Sequence, residues 1–384
     1  MQLRYGINPQ EGVAQALPAE GQRPVTVLNG EPSAINLLDA LNAWQLVREL
    51  DHAFGVAAAA SFKHVSPAGA AIGLAVDEAT AATYDVDPTG LTELATAYVR
   101  ARQTDPKSSY GDVAALSRPV DLAVAQQLAG VVSDAVIAPG YTPEALEVLC
   151  RKKRGAYLIV EIDADFQPPA QQHREIYGVR LALQRDRRSL DLSDVDNVVC
   201  GELGEPARRD ALVAMIVARY TQSNSVVYTH QGQTVGVAAG QQARVDSVKL
   251  AGVKADTWWL RHHPRLRDLS FSEEATAVER HYWRSRLIDG DLDITEQQAL
   301  KALLLDPQPV LSEHDREAWR GAKPPLTMAS DGFLPFPDNI HHAARYGVRT
   351  ITEPGGAMRT DQIIDTCRRH NIALIHTGIR LFHH

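Results

Sequence analysis

Residues 55–62, GVAAAASF, constrain the fold more than any other stretch of this chain, because they are small, uncharged and almost wholly apolar. Such a run suits a strand buried on both faces, and that strand needs a covering layer on each side, as in α/β proteins. The neighbouring segments supply candidates. Residues 24–29, PVTVLN, read as a short strand closed by Asn29-Gly30, and 35–50 as a helix. Leu37, Leu41, Trp44 and Val47 fall on one face of that helix at the 3.6-residue period. After Ser66-Pro67-Ala68-Gly69 the composition predicts an Ala-rich helix. A helix near 90–103, a turn-rich loop from Ser108 to Asp112 and a buried strand at 130–137 follow.

The polar segment 165–197 reads as a crossover into a second half. That half opens with a helix at 206–220 and a hairpin of Ser225–Thr229 and Thr234–Val237, turned at Gln231-Gly232. Helices are expected from Gln242, over 272–288 and over 294–305, with two short strands near the end. Val132-Ser133-Asp134-Ala135 and Ala329-Ser330-Asp331-Gly332 echo one another, each followed by a helix-forming segment. The echo raises the expectation of two similar α/β halves.

At 384 residues the chain has room for two or three domains. Its 45% hydrophobic and 22% charged residues exclude a disordered, collagen-like or small disulfide-stapled chain. A formal charge of −8 argues against a bulk nucleic-acid binder. Cys150, Cys200 and Cys367 are too far apart for a C-x-x-C motif and fit a reducing cytosol. The N-terminus does not read as a secretory signal, and no apolar run has the roughly 18 residues a membrane span needs. The expected class is a cytoplasmic α/β enzyme.

Lys63-His64, at the exit of the buried strand, is the strongest chemical signal. Functional groups of open α/β sheets gather at the carboxyl ends of strands. A lysine drawn partly out of water there can exchange a proton near neutrality, as can a histidine. Arg380-Leu381-Phe382-His383-His384 follows the apolar run IALIHTGI, so the terminus is expected to be tied into the core, with Arg380 available to a phosphate. Tyr220–Ser225 concentrates hydroxyl and amide side chains, suited to a polar ligand or a cation. Arg4-Tyr5-Gly6 is a weaker Arg-aromatic signal, and Gly236-x-x-x-Gly240 a candidate anion-binding turn. It is neither a Walker A motif nor G-x-G-x-x-G. Trp258-Trp259-Leu260-Arg261-His262-His263-Pro264 reads as packing rather than a metal cluster.

The stretches LRYGINPQ, VLNGEPSAINLLDALNAWQLVREL, SFKHVSPAG, SSYGDVAALS, VSDAVIAPGYTPEAL, YTQSNSVVYTHQGQTVGVAAGQQAR, WWLRHHP, SDGFLPFPDNI and IRLFHH run from end to end. In this order they resemble the transformylase portion of the bifunctional AICAR transformylase/IMP cyclohydrolase family. The resemblance implies formyl transfer from 10-formyltetrahydrofolate to the 5-amino group of AICAR, giving FAICAR. It implies two cytidine-deaminase-like α/β/α halves, here 1–180 and 181–384, without the deaminase zinc. It also implies a homodimer with shared active sites and no nucleic-acid or membrane partner. With the chain beginning where the transformylase would, a separate IMP cyclohydrolase is expected in the cell.

Carried over residue by residue, Lys63 and His64 match the family's catalytic pair, His384 the terminal His that contacts it, and Asn224 the Asn near the formyl group. Arg4, Tyr5 and Arg380 match the groups on the nucleotide phosphate, and Ile35, Asn36, Gly111 and Phe333 those around the base and ribose. Asp134 matches the acid of the folate pocket. Val217, Thr221, Ser223, Ser225 and Asp331 match a monovalent-cation site of some members, with K+ the expected ion. Three stretches depart from the family pattern: Ser66 and Ala68 after the Lys-His pair, Ala238, and the lack of an Asn near His281-Tyr282. They motivate two alternatives, a paralogue with another aminoimidazole or formyl donor, and an inactive ligand-binding homologue.

Overall fold

A computed structural model describes residues 1–17, 22–306 and 311–384, apart from the side chains of 277, 278 and 281. The His281 departure therefore lies outside the described side chains. A short pair, β1 (Gln2–Leu3) and β2 (Ala14–Gln15), precedes β3 (Val25–Asn29), α1 (Ala34–Phe54), β4 (Ala58–Lys63), β5 (Ser66–Ile72), α2 (Glu78–Tyr84) and α3 (Glu93–Arg102). Next come β6 (Asp112–Leu116), α4 (Leu122–Ala129), β7 (Ser133–Ala138), α5 (Pro143–Arg151) and β8 (Leu158–Ile162). A hairpin of β9 (Gln171–Ile176) and β10 (Val179–Gln184) leads to β11 (Val198–Cys200), α6 (Glu205–Arg219), β12 (Val226–His230), β13 (Gln233–Ala238) and α7 (Arg244–Leu260). The chain continues through α8 (Pro264–Arg267), α9 (Ala277–Asp289), α10 (Ile294–Leu303), α11 (Glu313–Gly321) and β14 (Leu326–Ser330). It ends with α12 (Asp338–Arg345), β15 (Val348–Glu353), α13 (Thr360–Arg369) and β16 (Ala373–His376).

Among the described residues, twelve strands make one sheet in the order β11-β16-β15-β14-β12-β13-β5-β4-β6-β7-β8-β3. That order is a repeat. The set β5-β4-β6-β7-β8-β3 and the set β13-β12-β14-β15-β16-β11 correspond strand for strand. In each, an antiparallel hairpin adjoins a strand antiparallel to it, two further parallel strands, and an antiparallel outer strand. The sets meet where Gln233 pairs with Ala71. The Ser-Asp echo does not carry the repeat: Ser133-Asp134 opens β7, whereas Ser330-Asp331 closes β14.

Helices cover both faces. α1 and α6 pack with inward side chains of both sets into one core, while α3, α4 and α5 cover the other face of the first set, and α7, α12 and α13 that of the second. Leu260, Leu266, Leu287, Leu300 and Leu311 form a separate cluster beneath α8 to α11. α1 starts at a capping box, in which Ser33 and Asn36 satisfy one another's backbone N–H groups, and stops at Gly55 in a left-handed conformation.

Several expectations change in the structure. The Ala-rich stretch after Lys63-His64 is strand β5, not a helix. Its small residues let α3 approach the sheet: a Cβ on Gly69 would lie 2.2 Å from the Ala101 carbonyl oxygen. Gly236 does the same for α7, where a Cβ would lie 2.1 Å from the Ala251 oxygen, so it is a packing glycine inside β13 rather than part of an anion-binding turn. The segment 165–197 contains the exposed β9–β10 hairpin, absent from the sequence reading.

The Trp-His cluster is packing. Trp259 and Trp319 stack with centroids 5.1 Å apart, and each indole N–H donates to the other's carbonyl, at 2.7 and 2.9 Å. His262 sits among Trp258, Trp259 and Tyr84, and burial pushes its imidazole down to about 4. Its proton affinity is thus lower folded than unfolded, so its contribution is full above pH 6.5 and is lost as pH falls toward 4. After discounting for its partial exposure, we expect about 2 kcal/mol of stability to vanish over that window. Urea unfolding at stepped pH should show the loss in wild type and a shallower slope in His262→Gln.

Candidate functional site

Strand β4 is buried from Ala58 to Phe62 and surfaces at Lys63. Two residues then reverse the chain, His64 at φ 55° and Val65 at φ 57°, before Ser66 pairs back with Lys63. A two-residue turn with both residues left-handed matches the twist of the flanking strands but usually employs Asn or Gly. Here a histidine and a β-branched valine hold those angles, a costly arrangement of the kind found at functional sites. His64 is exposed at the tip and Lys63 half-buried behind it.

Lys63 Nζ donates to the Tyr110 carbonyl at 2.6 Å. The next residue, Gly111, donates its N–H to Val132 at 3.0 Å, and a Cβ on it would lie 3.7 Å from Asp134 Oδ2. Asp134 forms an ion pair with Lys153. The rim therefore combines the carboxyl end of β4 with the amino ends of β6 and β7, because β4 runs antiparallel to β6. The expectation that strand carboxyl ends gather the site holds for β4 here, whereas β6 and β7 contribute their amino ends.

The start of the chain arrives at the same rim. Arg4 N–H donates to Pro32 O at 2.9 Å and Ala34 N–H to Tyr5 O at 3.4 Å, placing both residues at the entry of α1. The Arg4 guanidinium lies 4.9 Å from the Tyr5 ring centroid. Ile35 and Asn36 are in the first turn of α1, with Asn36 Oδ1 engaged by Ser33 N–H at 3.1 Å. One turn further, Asp39 Oδ1 accepts Val65 N–H at 2.6 Å, joining α1 to the Lys63-His64 turn.

The polar segment and the C-terminus close the other side. Gln222 N–H donates to Ser66 Oγ at 3.4 Å, so this segment abuts the turn. The Ser223–Asn224 peptide is cis. Ser223 N–H donates to His383 O, and His383 N–H to Ser223 Oγ, both at 3.0 Å. Asn224 Nδ2 donates to Gln242 O at 3.0 Å, and its Oδ1 accepts from Arg244 at 2.6 Å. Asp331, fully buried, accepts Ser223 Oγ–H at 2.6 Å and Ser225 N–H at 3.0 Å and pairs with Arg244. Thr221 Oγ1 donates to Val217 O at 2.7 Å, and Ser225 Oγ to Ala218 O at 3.4 Å, which brings the end of α6 against Ser225. Among the described residues, no group of three or more His, Cys, Asp or Glu is arranged to hold a metal.

The terminus differs from expectation. His384 is exposed rather than buried beside His64, and its ring lies 6.0 Å from that of Phe382. His383 makes the tie instead. Burial pushes its imidazole below the ordinary histidine range, with Arg174 and His384 adding to the effect. Leu381 N–H donates to Asp331 O at 2.9 Å, and the Arg380 guanidinium sits 4.7 Å from the Phe382 ring centroid. Phe333 is half-exposed nearby, one residue beyond Gly332, where a Cβ would meet the Phe382 ring at 2.8 Å. Arg4 donates to the Tyr5 hydroxyl at 3.1 Å, and Arg4 and Arg380 are both exposed.

Asp39, Arg244 and the Gln222–Ser66 contact were missed in the sequence. Asp39 had a signal, an acid on the apolar stripe Ala43, Leu46, Val47 and Leu50 of α1. The other two depend on long-range packing and had none.

Residues 1–254 match the family described as the AICARFT/IMPCHase bienzyme. The chain is 30% identical over 386 aligned residues to a bifunctional purine biosynthesis protein PurH of Roseobacter denitrificans. It is 31% identical over 393 to that of Magnetococcus marinus and 30% over 386 to that of Dinoroseobacter shibae. All of this chain is covered in each case, but it spans 59% of each relative's length.

Proposed function

The chain belongs to the AICARFT/IMPCHase bienzyme family, and on that premise we propose that it transfers a formyl group from 10-formyltetrahydrofolate to the 5-amino group of AICAR, giving FAICAR and tetrahydrofolate in purine biosynthesis. The observation that carries this reading is the convergence of the Lys63-His64 turn with the Gln222–Asn224 segment and the C-terminus. The AICAR amine is a weak nucleophile, because its lone pair delocalises into the imidazole and carboxamide. Its nitrogen attacks the formyl carbon while His64 takes up the amine proton. Lys63 returns a proton to the folate nitrogen as the bond from formyl carbon to that nitrogen breaks. Asn224 donates to the oxygen that carries the transient negative charge. Arg4, Tyr5 and Arg380 hold the phosphate, Ile35, Asn36, Gly111 and Phe333 flank the base and ribose, and Asp134 faces the folate.

Val217, Thr221, Ser223, Ser225 and Asp331 offer oxygen donors only, a set suited to K+ rather than zinc. Arg244 already neutralises Asp331, which favours a monovalent over a divalent ion. The matching strand orders support two similar halves, which we read as cytidine-deaminase-like; the expected division into 1–180 and 181–384 falls inside β10, in the segment between the two strand sets. The setting we propose is the cytoplasm; among the described residues no helix is long and apolar enough to cross a membrane. Steady-state kinetics with AICAR and 10-formyltetrahydrofolate test the reading. Formyl transfer to AICAR supports it. Preference for another aminoimidazole or formyl donor would mark a paralogue, and AICAR binding without turnover an inactive homologue.

A homodimer completes the proposal. Ile176 is 60%, Val179 59% and Tyr177 fully exposed on the β9–β10 hairpin, an apolar surface that a second copy would cover. Light scattering at micromolar concentration should give a dimer, and Ile176→Asp/Val179→Asp a monomer with at least tenfold lower turnover. A fully active wild-type monomer would overturn this.

A further inference from the structure

Asp39 is out of character with its helix. It lies on the buried stripe of α1 and is 4% exposed. A buried carboxylate is costly unless hydrogen bonds meet its charge. Here the turn meets it: Oδ1 accepts Val65 N–H at 2.6 Å, the His64 backbone N–H faces the same group, and the Lys63 and His64 side chains add attraction. Burial nevertheless raises this acid above its ordinary value, against those lowering contacts.

The second set of strands repeats the device without the Lys-His pair. Asp210 is the sixth residue of α6, as Asp39 is of α1. The turn between β12 and β13 is again two left-handed residues, Gln231 at φ 51° and Gly232 at φ 73°. Asp210 accepts both of their N–H groups, at 2.7 and 2.6 Å. At the second position this turn has glycine, which adopts φ > 0 freely, whereas the first turn has Val65, whose β-branched side chain opposes it. A residue in so sparsely populated a region stays there only when its surroundings over-determine it.

We propose that Asp39 is a positioning residue: by accepting the backbone N–H groups of the turn it holds Val65 left-handed, and so sets where Lys63 and His64 stand. The inference rests on reading Lys63 and His64 as the proton-transfer pair. Asp39→Ala should lower kcat by about tenfold to hundredfold, the range for losing hydrogen bonds to a charged group, with KM for AICAR within threefold. Asp39→Asn, which keeps one acceptor oxygen, should fall between. Val65→Gly removes the need for restraint, so Asp39→Ala/Val65→Gly should recover to within threefold of Val65→Gly alone. A merely structural role for Asp39 would lower thermal stability without that rescue. If Asp39→Ala does not fold, Asp39→Asn against Asp39→Asn/Val65→Gly makes the same comparison. Wild-type kcat in the Asp39 variants, or impairment that Val65→Gly leaves untouched, overturns the inference while inactive Lys63→Ala and His64→Ala keep the underlying reading. Full activity in those two variants overturns the reading itself.

Discussion

Lys63→Ala and His64→Ala should each lower formyl transfer by about 10²–10⁴-fold, the usual worth of a positioned proton donor or acceptor, while AICAR still binds within a few-fold of wild type. The split follows from where the groups stand. The two side chains project from the tip and flank of the β4–β5 turn, whereas the phosphate-holding candidates Arg4 and Tyr5 enter from the start of α1. Removing either proposed proton-transfer group leaves those contacts in place. One complication is conformational: alanine at φ 55° costs roughly 1 kcal/mol more than a residue that tolerates the left-handed region. His64→Asn separates the two effects, because asparagine accepts that backbone but cannot relay the proton. His64→Asn should therefore be as inactive as His64→Ala. Single-turnover kinetics alongside calorimetric titration of AICAR would check both numbers. Near-wild-type turnover in either alanine variant would remove the pair from the mechanism.

The sheet was largely readable because its core strands are continuous apolar runs bounded by turn residues. The hairpin of the second half is the clearest case: Gln231-Gly232 marks the turn, and the strands on either side lie within one residue of the expected ends. β5 was misread because Ala68, Ala70 and Ala71 favour a helix on their own, and only packing against α3 makes small residues a strand requirement. The β9–β10 hairpin carries little periodicity, being exposed on both faces in the single chain. For the site, local chemistry pointed to Lys63-His64 and to the hydroxyl-rich segment. That Ser66 would meet Gln222, or that Arg244 would lock Asn224 and Asp331 together, is decided by contacts spanning 156, 20 and 87 residues of sequence.

Deleting His383 and His384 should lower kcat by about tenfold to hundredfold, while AICAR affinity changes less than threefold. His383 exchanges two hydrogen bonds with Ser223, the residue directly before Asn224. Losing both bonds leaves Ser223 held through Asp331, which loosens the entry to Asn224, the proposed oxyanion donor, although Arg244 still holds the Asn224 side chain. The stability cost should be small, about 1–3 kcal/mol for two hydrogen bonds, because Leu381, 4% exposed and bonded to Asp331, remains to anchor the segment. Arg380, a proposed phosphate contact, also remains, so AICAR affinity should survive. Deleting His384 alone separates the possible causes. If the Ser223 tie is what matters, the single deletion keeps most of the activity, since His383 stays in place. If the terminal imidazole or carboxylate acts on His64, completed when substrate or a second copy covers the exposed end, the single deletion is as damaging as the double. A C-terminal tag should impair turnover in the second case and be tolerated in the first, so the three proteins together assign the effect. Wild-type kcat in the double deletion would show that the end of the chain takes no part in catalysis.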